Sequence, residues 1–148
     1  MSMPTSISDL EQHGTDYLHQ LKVFKSFVTF LGEIEIPSLE VDAQDRPEVA
    51  RLRYLGRRIE IWHEYVAEST TNGSSSWRVF IIPGHERPER PQFVTAIGVS
   101  EEPKDMWKVF EDGAELGLRS ERAKVHILGQ VLGNCATFVS LPEVARDD

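Results

Sequence analysis

The stretch EVARLRYLGRRIEIWHEYV (residues 48–66) constrains the fold more than any other part of this chain, because apolar and polar residues alternate on both sides of one glycine. Successive side chains of a β-strand point to opposite faces, so this alternation predicts two strands joined by a tight turn. We expect Gly56 and Arg57 to be the central residues of a two-residue type II′ turn, which favours glycine at its first central position. Arg53 should then face Glu60 across the hairpin, and such a pair of opposite charges is stabilising.

The predicted hairpin has two chemically different faces. One face collects Ala50, Leu52, Tyr54, Ile59, Ile61, His63 and Tyr65, and the other carries Val49, Arg51, Arg53, Glu60, Trp62 and Glu64. A slip of one residue would move Arg53 among isoleucines, so we expect the register to be firmly set. The face that carries Trp62 is too apolar for plain exposure to water, which predicts that the C-terminal helices or a second subunit cover it.

The N-terminal region predicts a long amphipathic helix over residues 9–31. Ser8 and Glu11 fit a capping box, and Gly32 is a typical C-terminal stop. The apolar positions recur in steps of three and four: Leu10, Tyr17, Leu21, Phe24, Val28 and Leu31. Further apolar residues broaden this stripe, so the helix needs a sheet or a second subunit to cover it.

The segments on either side of the hairpin predict further strands of an antiparallel sheet. Residues 33–41 are interpreted as an edge strand or a broken strand, because Pro37 cannot donate a hydrogen bond to a ladder. The polar segment 67–76 predicts a connection between strands. The runs 77–82 and 93–99 are apolar on both faces, which is typical of central strands.

The C-terminal part predicts helices. A short helix is expected from Pro103 to about Gly113, and its apolar residues are Met106, Trp107 and Phe110. Ser120 can cap a second helix, and residues 136–141 either extend that helix or form a last strand.

Together these predicted helices and strands indicate an α+β fold. We expect a long N-terminal helix, an antiparallel four- to five-stranded meander sheet and two C-terminal helices. The chain should form a single domain over residues 1–148, in which 1–7 and 142–148 are loose tails.

Composition excludes several classes of protein. The chain of 148 residues has a net charge of −8, which disfavours broad nucleic-acid binding and suits a partner with a basic surface. It contains no apolar run long enough to span a bilayer and no signal-peptide pattern at its start, which predicts a cytoplasmic location. Cys135 is the only cysteine, so an intramolecular disulfide is impossible, and we expect a buried, inert thiol.

Two histidines are weak catalytic candidates. His63 and His85 each precede a glutamate, and a histidine beside a carboxylate can act as a general base. His63 and Glu64 point to opposite faces of a strand, however, so they cannot act on one substrate. We interpret His63 as a core residue with a satisfied hydrogen bond and His85 as a surface residue. No histidine spacing typical of a metal site occurs, so we predict neither a metal nor a cofactor.

The Trp62 face is rich in arginine although the chain is acidic. Its arginines are Arg51, Arg53 and Arg58. Together with Trp62 they could bind a phosphate, a nucleotide base or an acidic peptide. Glu60 and Glu64 lie on the same face and neutralise much of this charge, so a solvated ladder of ion pairs is the favoured interpretation and a ligand surface is the alternative.

The segment PGHERPERPQ (residues 83–92) connects two predicted central strands. Its prolines keep it extended, and loops of this length between strands are uncommon unless they have a function. Its candidate binding residues are His85, Glu86, Arg87 and Arg90. Because the charges nearly cancel, a recognition loop and a plain solvated connection are the two competing interpretations.

The absence of a complete catalytic set favours a non-enzymatic, acidic protein-binding module. Its expected binding surfaces are the apolar, Trp-bearing sheet face and the proline-rich loop, and a homodimer is expected. The architecture resembles bacterial secretion chaperones and toxin-immunity proteins, without a shared motif, which implies an inhibitor or immunity-type protein or a small chaperone or adaptor. One alternative is a small enzyme or small-ligand binder with a site near His63, Tyr65 and His85. The other is a nucleotide or nucleic-acid binder that uses the arginine face.

Overall fold

A computed structural model describes residues 6–83, 90–102, 105–111 and 113–139. Its elements in chain order are α1 (Ile7–Glu33), β1 (Leu39–Val41), β2 (Val49–Tyr54), β3 (Arg57–Ala67), β4 (Gly73–Ile82), β5 (Gln92–Glu102), β6 (Met106–Glu111), β7 (Ala114–Arg119) and α2 (Ser120–Thr137). The strands form one antiparallel sheet in the order β1 to β7, so each strand pairs with its neighbour in sequence. The predicted α+β class and antiparallel sheet are confirmed. The predicted four to five strands and two C-terminal helices are wrong, because this part of the chain forms seven strands and one C-terminal helix.

Both helices pack on the same face of the sheet. α1 lies over β3 to β5, α2 lies over β5 to β7, and their buried side chains form one core with the sheet. At the centre of this core the ring of Trp77 lies 5.1 Å from Phe24, 5.2 Å from Phe27 and 6.1 Å from Trp107. Burial of these large apolar side chains is the main force that holds the helices on the sheet. Neither helix covers the opposite face, which we call the open face.

The β2–β3 hairpin has the predicted faces but a different register. Leu55 and Gly56 are the turn residues, with φ of 53° and 77°, which identifies a type I′ turn and not the predicted type II′ turn. Arg51 therefore faces Glu60, whereas Arg53 was expected there. The residue of β2 that lies opposite Glu60 is thus two positions from the predicted one. Because side chains alternate between the faces, a shift of two residues leaves every side chain on its predicted face. Turns of type I′ and type II′ both match the right-handed twist of the strands, so the alternation of apolar residues is compatible with either.

The C-terminal part departs most from the expectation. Residues 106–111 and 114–119 form the β6–β7 hairpin, so the predicted short helix is wrong. The second predicted helix is α2, but its N-cap is Arg119 and not the predicted Ser120, which is its first residue. Trp107 and Val109 are buried in the core, and Phe110 lies on the open face with 41% of its surface exposed. Because β6 is apolar on both faces, its two-residue period is hidden in the sequence, and the spacing of its apolar residues imitates a helix.

The bounds of three other elements also differ from the predicted ones. α1 is longer than the predicted 9–31, and its N-cap is Ser6, whose hydroxyl accepts a hydrogen bond from the Asp9 amide at 3.1 Å. β1 is the predicted edge strand, but residues 34–36 do not belong to it. β4 begins at Gly73, so the serines assigned to a polar connection are strand residues.

Several predictions fall on residues that the structure does not describe. His85, Glu86 and Arg87 of the proline-rich loop lie outside the described residues, and so does the predicted tail 142–148. Arg90 is described and is exposed. α2 ends at Thr137. Of the two alternatives for residues 136–141, the described residues therefore form no last strand; residues 136 and 137 extend the helix. Neither of the two helices is long and apolar enough to cross a membrane.

Candidate binding surface on the open face

The open face carries a group of aromatic side chains at its centre. This aromatic patch consists of Trp62, Phe80, Phe93 and Phe110, which come from the consecutive strands β3 to β6. The ring of Phe80 lies 5.4 Å from that of Trp62 and 5.9 Å from that of Phe93. Trp62 and Phe93 keep 39% and 46% of their surface exposed. Trp62, Phe80 and Phe93 are neighbours because the antiparallel register aligns the outward positions of adjacent strands, whereas Phe110 lies farther along the sheet, opposite Gly98.

Phe110 is positioned by a glycine on the neighbouring strand. Gly98 pairs with Phe110 in the β5–β6 register, and a Cβ atom built on Gly98 would lie 3.1 Å from the Cβ of Phe110. The phenyl ring therefore covers a stretch of backbone that lacks a side chain of its own. The contact places Phe110 against a part of β5 that presents the small residues Ala96, Gly98 and Ser100 on this face, beyond Phe93.

Arg78 on β4 lies inside the aromatic patch. Its guanidinium carbon is 5.3 Å from the ring centroid of Phe80 and 5.2 Å from that of Phe93, which is the geometry of a cation–π interaction. Its Nη1 atom also lies 3.2 Å from a carboxylate oxygen of Glu64. A positive charge is thus held among aromatic rings and beside one carboxylate. The sequence analysis did not select Arg78, because the strand around it is apolar on both faces.

A second ion pair borders the patch at Trp62. Arg51 Nε donates a hydrogen bond of 3.0 Å to Glu60 Oε2, and Trp62 Nε1 donates one of 2.9 Å to Glu60 Oε1. Arg51 also pairs with Asp45. The hydrogen bond to Glu60 is the largest cause that raises the pKa of Arg51 above its usual value. Arg51 thus forms ion pairs with two carboxylates, those of Glu60 and Asp45.

Arg53 and Arg58 differ from Arg51 in their surroundings. The two are directly opposite each other in the β2–β3 register, and both are exposed. In the described part of the chain, neither has a carboxylate within ion-pair distance. Like charges directly opposite each other are destabilising, but Glu40 lies opposite Arg53 in the β1–β2 register and partly balances this pair from within the sheet.

The residues around Tyr65 form a partly buried polar network under the N-terminal half of α1. Asp16 Oδ2 accepts hydrogen bonds from the Tyr65 hydroxyl at 2.8 Å, the Gly73 amide at 3.0 Å and Gln20 Nε2 at 3.2 Å. His13 Nδ1 lies 2.6 Å from the same hydroxyl. Burial and the bond to Asp16 raise the pKa of Tyr65. The network fastens α1 to the β3–β4 hairpin, which is a structural role.

His63 lies in the core beside this network, as expected. It is 6% exposed, and its Nε2 atom lies 2.9 Å from the Ser75 hydroxyl, which donates in turn to Gln20. The Nδ1 atom is buried without a hydrogen-bond partner. Desolvation lowers the pKa of His63, so the ring is held neutral. With so little surface exposed, His63 offers a substrate almost no access.

A cleft between the helices is a site that the sequence analysis missed. The cleft has a volume of about 640 Å³ and is lined by His19, Lys22, Val23, Ser26, Glu101, Asp105, Trp107 and Ser120. Glu101 connects two sides of the cleft: it lies 3.5 Å from His19 and accepts a hydrogen bond of 3.3 Å from Trp107 Nε1. No signal in the sequence could have found this cleft, because its residues come from four separate segments.

The structure brings together some of the predicted site residues and separates others. Trp62, Arg51, Arg53 and Arg58 share the open face, whereas His63 and Tyr65 lie on the opposite face. Cys135 is buried, and burial raises the pKa of its thiol to about 11, which fits an inert thiol. Among the residues described, no three His, Cys, Asp or Glu side chains form a group that could hold a metal ion.

Comparison with known proteins adds nothing to these observations. The chain matches no protein-family model, and neither a curated protein nor a solved structure is significantly similar to it.

Proposed function

We propose that this protein is a binding module that recognises another protein through the open face of its sheet. The observation that carries the proposal is the aromatic patch, which remains exposed although two helices are available to bury apolar surface and both lie on the other side. Contiguous exposed apolar surface on a small domain is a typical mark of an interaction site. Tryptophan, phenylalanine and arginine are also enriched at interfaces.

The charges around the patch suit a surface that loses water on binding. Arg51 and Arg78 each have a carboxylate partner on the same face, Glu60 and Glu64. Burial of an isolated charge is strongly unfavourable. A partner that covers these ion pairs buries each charge together with its counter-charge and so avoids this cost. The patch also lies on a hydrogen-bonded sheet, so little conformational entropy is lost when it is covered.

Two occupants of the open face are consistent with these features. The net charge of −8 favours a partner with a basic surface, because long-range attraction accelerates encounter. An inhibitor, an immunity-type protein or a small cytoplasmic chaperone or adaptor would act in this way. A second copy of the chain is the other occupant, since two sheets can pack face to face through their aromatic side chains.

A small-ligand binder is the second candidate function, and the cleft between the helices favours it. Concave sites with a few polar groups are where small molecules bind, and Lys22, Glu101 and Asp105 supply such groups. The cleft supports this alternative better than the surroundings of His63 do. The nucleic-acid alternative has weaker support, because Arg51 is already paired with two carboxylates.

The proposal is tested by changing the aromatic patch without changing the core. We expect Trp62→Ser and Phe93→Ser each to weaken partner binding at least about tenfold, because exposed aromatic anchors contribute most of the binding energy of an interface. The measurement is affinity capture from native lysate with the intact chain, followed by analysis of both proteins and small molecules that co-elute.

Leu18→Ser is the matched control, since Leu18 is 58% exposed but lies on α1. This variant should capture the same partner as the unmodified protein. Equal capture by the control and by both patch variants would contradict the proposal. Co-elution of a small molecule without any protein would favour the cleft, and co-elution of nucleic acid would favour the arginine face.

A further inference from the structure

β7 (Ala114–Arg119) is an edge strand that no other described strand or helix covers on its outer side. Its only hydrogen-bonded neighbour in the described part of the sheet is β6. Apart from Leu118, every residue of β7 is exposed. The outward row of its backbone N–H and C=O groups is therefore available to another strand.

The two edges of the sheet differ in how they are protected. β1 has three residues, and Pro37 and the positive φ of Ser38 (67°) interrupt the chain just before it. A short edge strand and a proline beside it both hinder pairing of that edge with other chains. β7 has six residues and contains neither a proline nor a residue with positive φ. It is thus the edge on which a further strand can be added.

We propose that the strand added to β7 is β7 of a second copy of this chain, antiparallel and centred on Gly117. The sequence Glu115-Leu116-Gly117-Leu118-Arg119 is complementary to itself in this arrangement. Glu115 then faces Arg119 of the second copy, and Leu116 faces Leu118 of the second copy. Each pair occurs twice, because the arrangement has a twofold axis at Gly117.

The faces of the sheet agree with this pairing. Leu116 and Leu118 lie opposite Val109 and Trp107 in the β6–β7 register, and both partners are buried core residues. The new leucine pairs therefore extend the core layer. The charged pairs extend the open face, because Glu115 lies opposite Phe110, a member of the aromatic patch.

Other registers do not offer the same complementarity. A shift of two residues that centres the pairing on Leu116 places Glu115 opposite Gly117, and the charged pairs are lost. The corresponding shift toward Leu118 places Arg119 opposite Gly117. A shift of one residue pairs side chains from opposite faces. Glu115 and Arg119 each have an ion-pair partner within the chain, Lys108 at 3.6 Å and Asp105 at 3.7 Å, but their side chains remain 51% and 77% exposed. The register centred on Gly117 is therefore the one that pairs the leucines and also joins these charges across the axis.

The proposal is tested by reversing the charges one at a time and then together. Sedimentation equilibrium of the unmodified protein should show a mass that rises with concentration from 16.8 kDa toward twice that value. Glu115→Arg and Arg119→Glu should each weaken self-association at least about tenfold, since each places two pairs of like charges in opposition. The double variant Glu115→Arg/Arg119→Glu should restore it. The two single variants mixed in equal amounts should associate with each other, because every charged pair is then of opposite sign.

Lys25→Glu on α1 is the control, because it makes the same change in net charge as Arg119→Glu at an exposed position far from β7. It should leave self-association unchanged. Far-ultraviolet circular dichroism establishes that each variant is folded. A chain that stays monomeric at its highest soluble concentration overturns the proposal, and so does a double variant that fails to recover association. Association that is lost in Trp62→Ser but kept in both charge variants also overturns it, because the copies then meet through the open face. The proposal does not depend on the proposed function.

Discussion

His63 illustrates how a single buried side chain can make the stability of this domain depend on pH. Its Nε2 atom is bonded to Ser75, whereas its Nδ1 atom is buried without a partner. A proton added to Nδ1 would place an unpaired charge in the core between Tyr17 and Phe24. Desolvation therefore lowers the pKa of His63 below its usual value of about 6.5.

The domain should lose stability as the pH falls below about 6.5, the unfolded-state pKa of histidine. In that range the unfolded chain takes up a proton on His63 that the folded chain does not, so the free energy of unfolding decreases until the folded pKa is reached. Above that range both states are neutral, and His63 has no effect. Urea unfolding across this range should show a smaller pH dependence in His63→Gln. An identical dependence in both proteins would exclude His63 as its source.

Leu55 is a second residue whose local conformation has a measurable consequence. It adopts a φ of 53° in the type I′ turn, a left-handed conformation that branched side chains disfavour. Leu55→Asn should therefore raise the free energy of unfolding by about 0.5–1 kcal/mol, because asparagine followed by glycine is the preferred pair in this turn. Thermal or urea unfolding measures the difference.

Gly56→Ala in the same turn is the opposite test. Gly56 has a φ of 77°, so a Cβ atom adds strain although there is space for it. This variant should lower stability by about 1 kcal/mol. If Leu55→Asn were destabilising while Gly56→Ala was neutral, the turn would be of another type.

At the scale of elements, α1 is held on the sheet by two kinds of contact. Phe24 and Phe27 pack on Trp77 in the core. Nearer its N-terminus the helix depends on polar bonds, because Asp16 accepts hydrogen bonds from β3 and β4. Hydrogen bonds to a charged acceptor are stronger than neutral ones, and their donors become unsatisfied if the acceptor is removed.

Asp16→Ala should therefore lower the free energy of unfolding by about 2–3 kcal/mol. Thr15→Ala is the matched control: Thr15 is exposed, and its hydroxyl bonds only within the helix. The control should change stability by no more than about 0.5 kcal/mol. Hydrogen exchange of the amide groups in α1 should accelerate in Asp16→Ala alone. Equal stability of the two variants would show that the apolar contacts suffice to hold the helix.

The elements also differ in how far the sequence could predict them. The faces of the β2–β3 hairpin were predictable because alternation is a local pattern, but its register depends on which residue of the turn accepts a positive φ. Leu55 gives no such signal in the sequence. β6 was not predictable because Phe110 is apolar on the face where a polar residue is expected, and its partner Gly98 is distant in sequence.

At the scale of the whole molecule, the same distinction applies to the candidate sites. The open face could be predicted in part, because Trp62 and the arginines lie on one local hairpin. Arg78 and Phe93 lie beside Trp62 only because of the order of the strands in the sheet, and no local sequence pattern indicates that order. The cleft between the helices is formed by side chains that meet only after both helices pack, so nothing in a single segment indicates it.

The order of strands also has a consequence for the kinetics of folding. Because every strand pairs with its neighbour in sequence, the sheet consists of local contacts, and such topologies fold rapidly. α1 is the exception, because Asp16 forms its hydrogen bonds with Tyr65 and Gly73, which follow it by 49 and 57 residues. These bonds cannot form until both residues have been synthesised. On the ribosome the helix emerges before the sheet, with its apolar side uncovered, and it can pack only when the β3–β4 hairpin has been synthesised. An element that precedes the sheet in the chain must therefore remain without its native contacts until about half of the sheet exists.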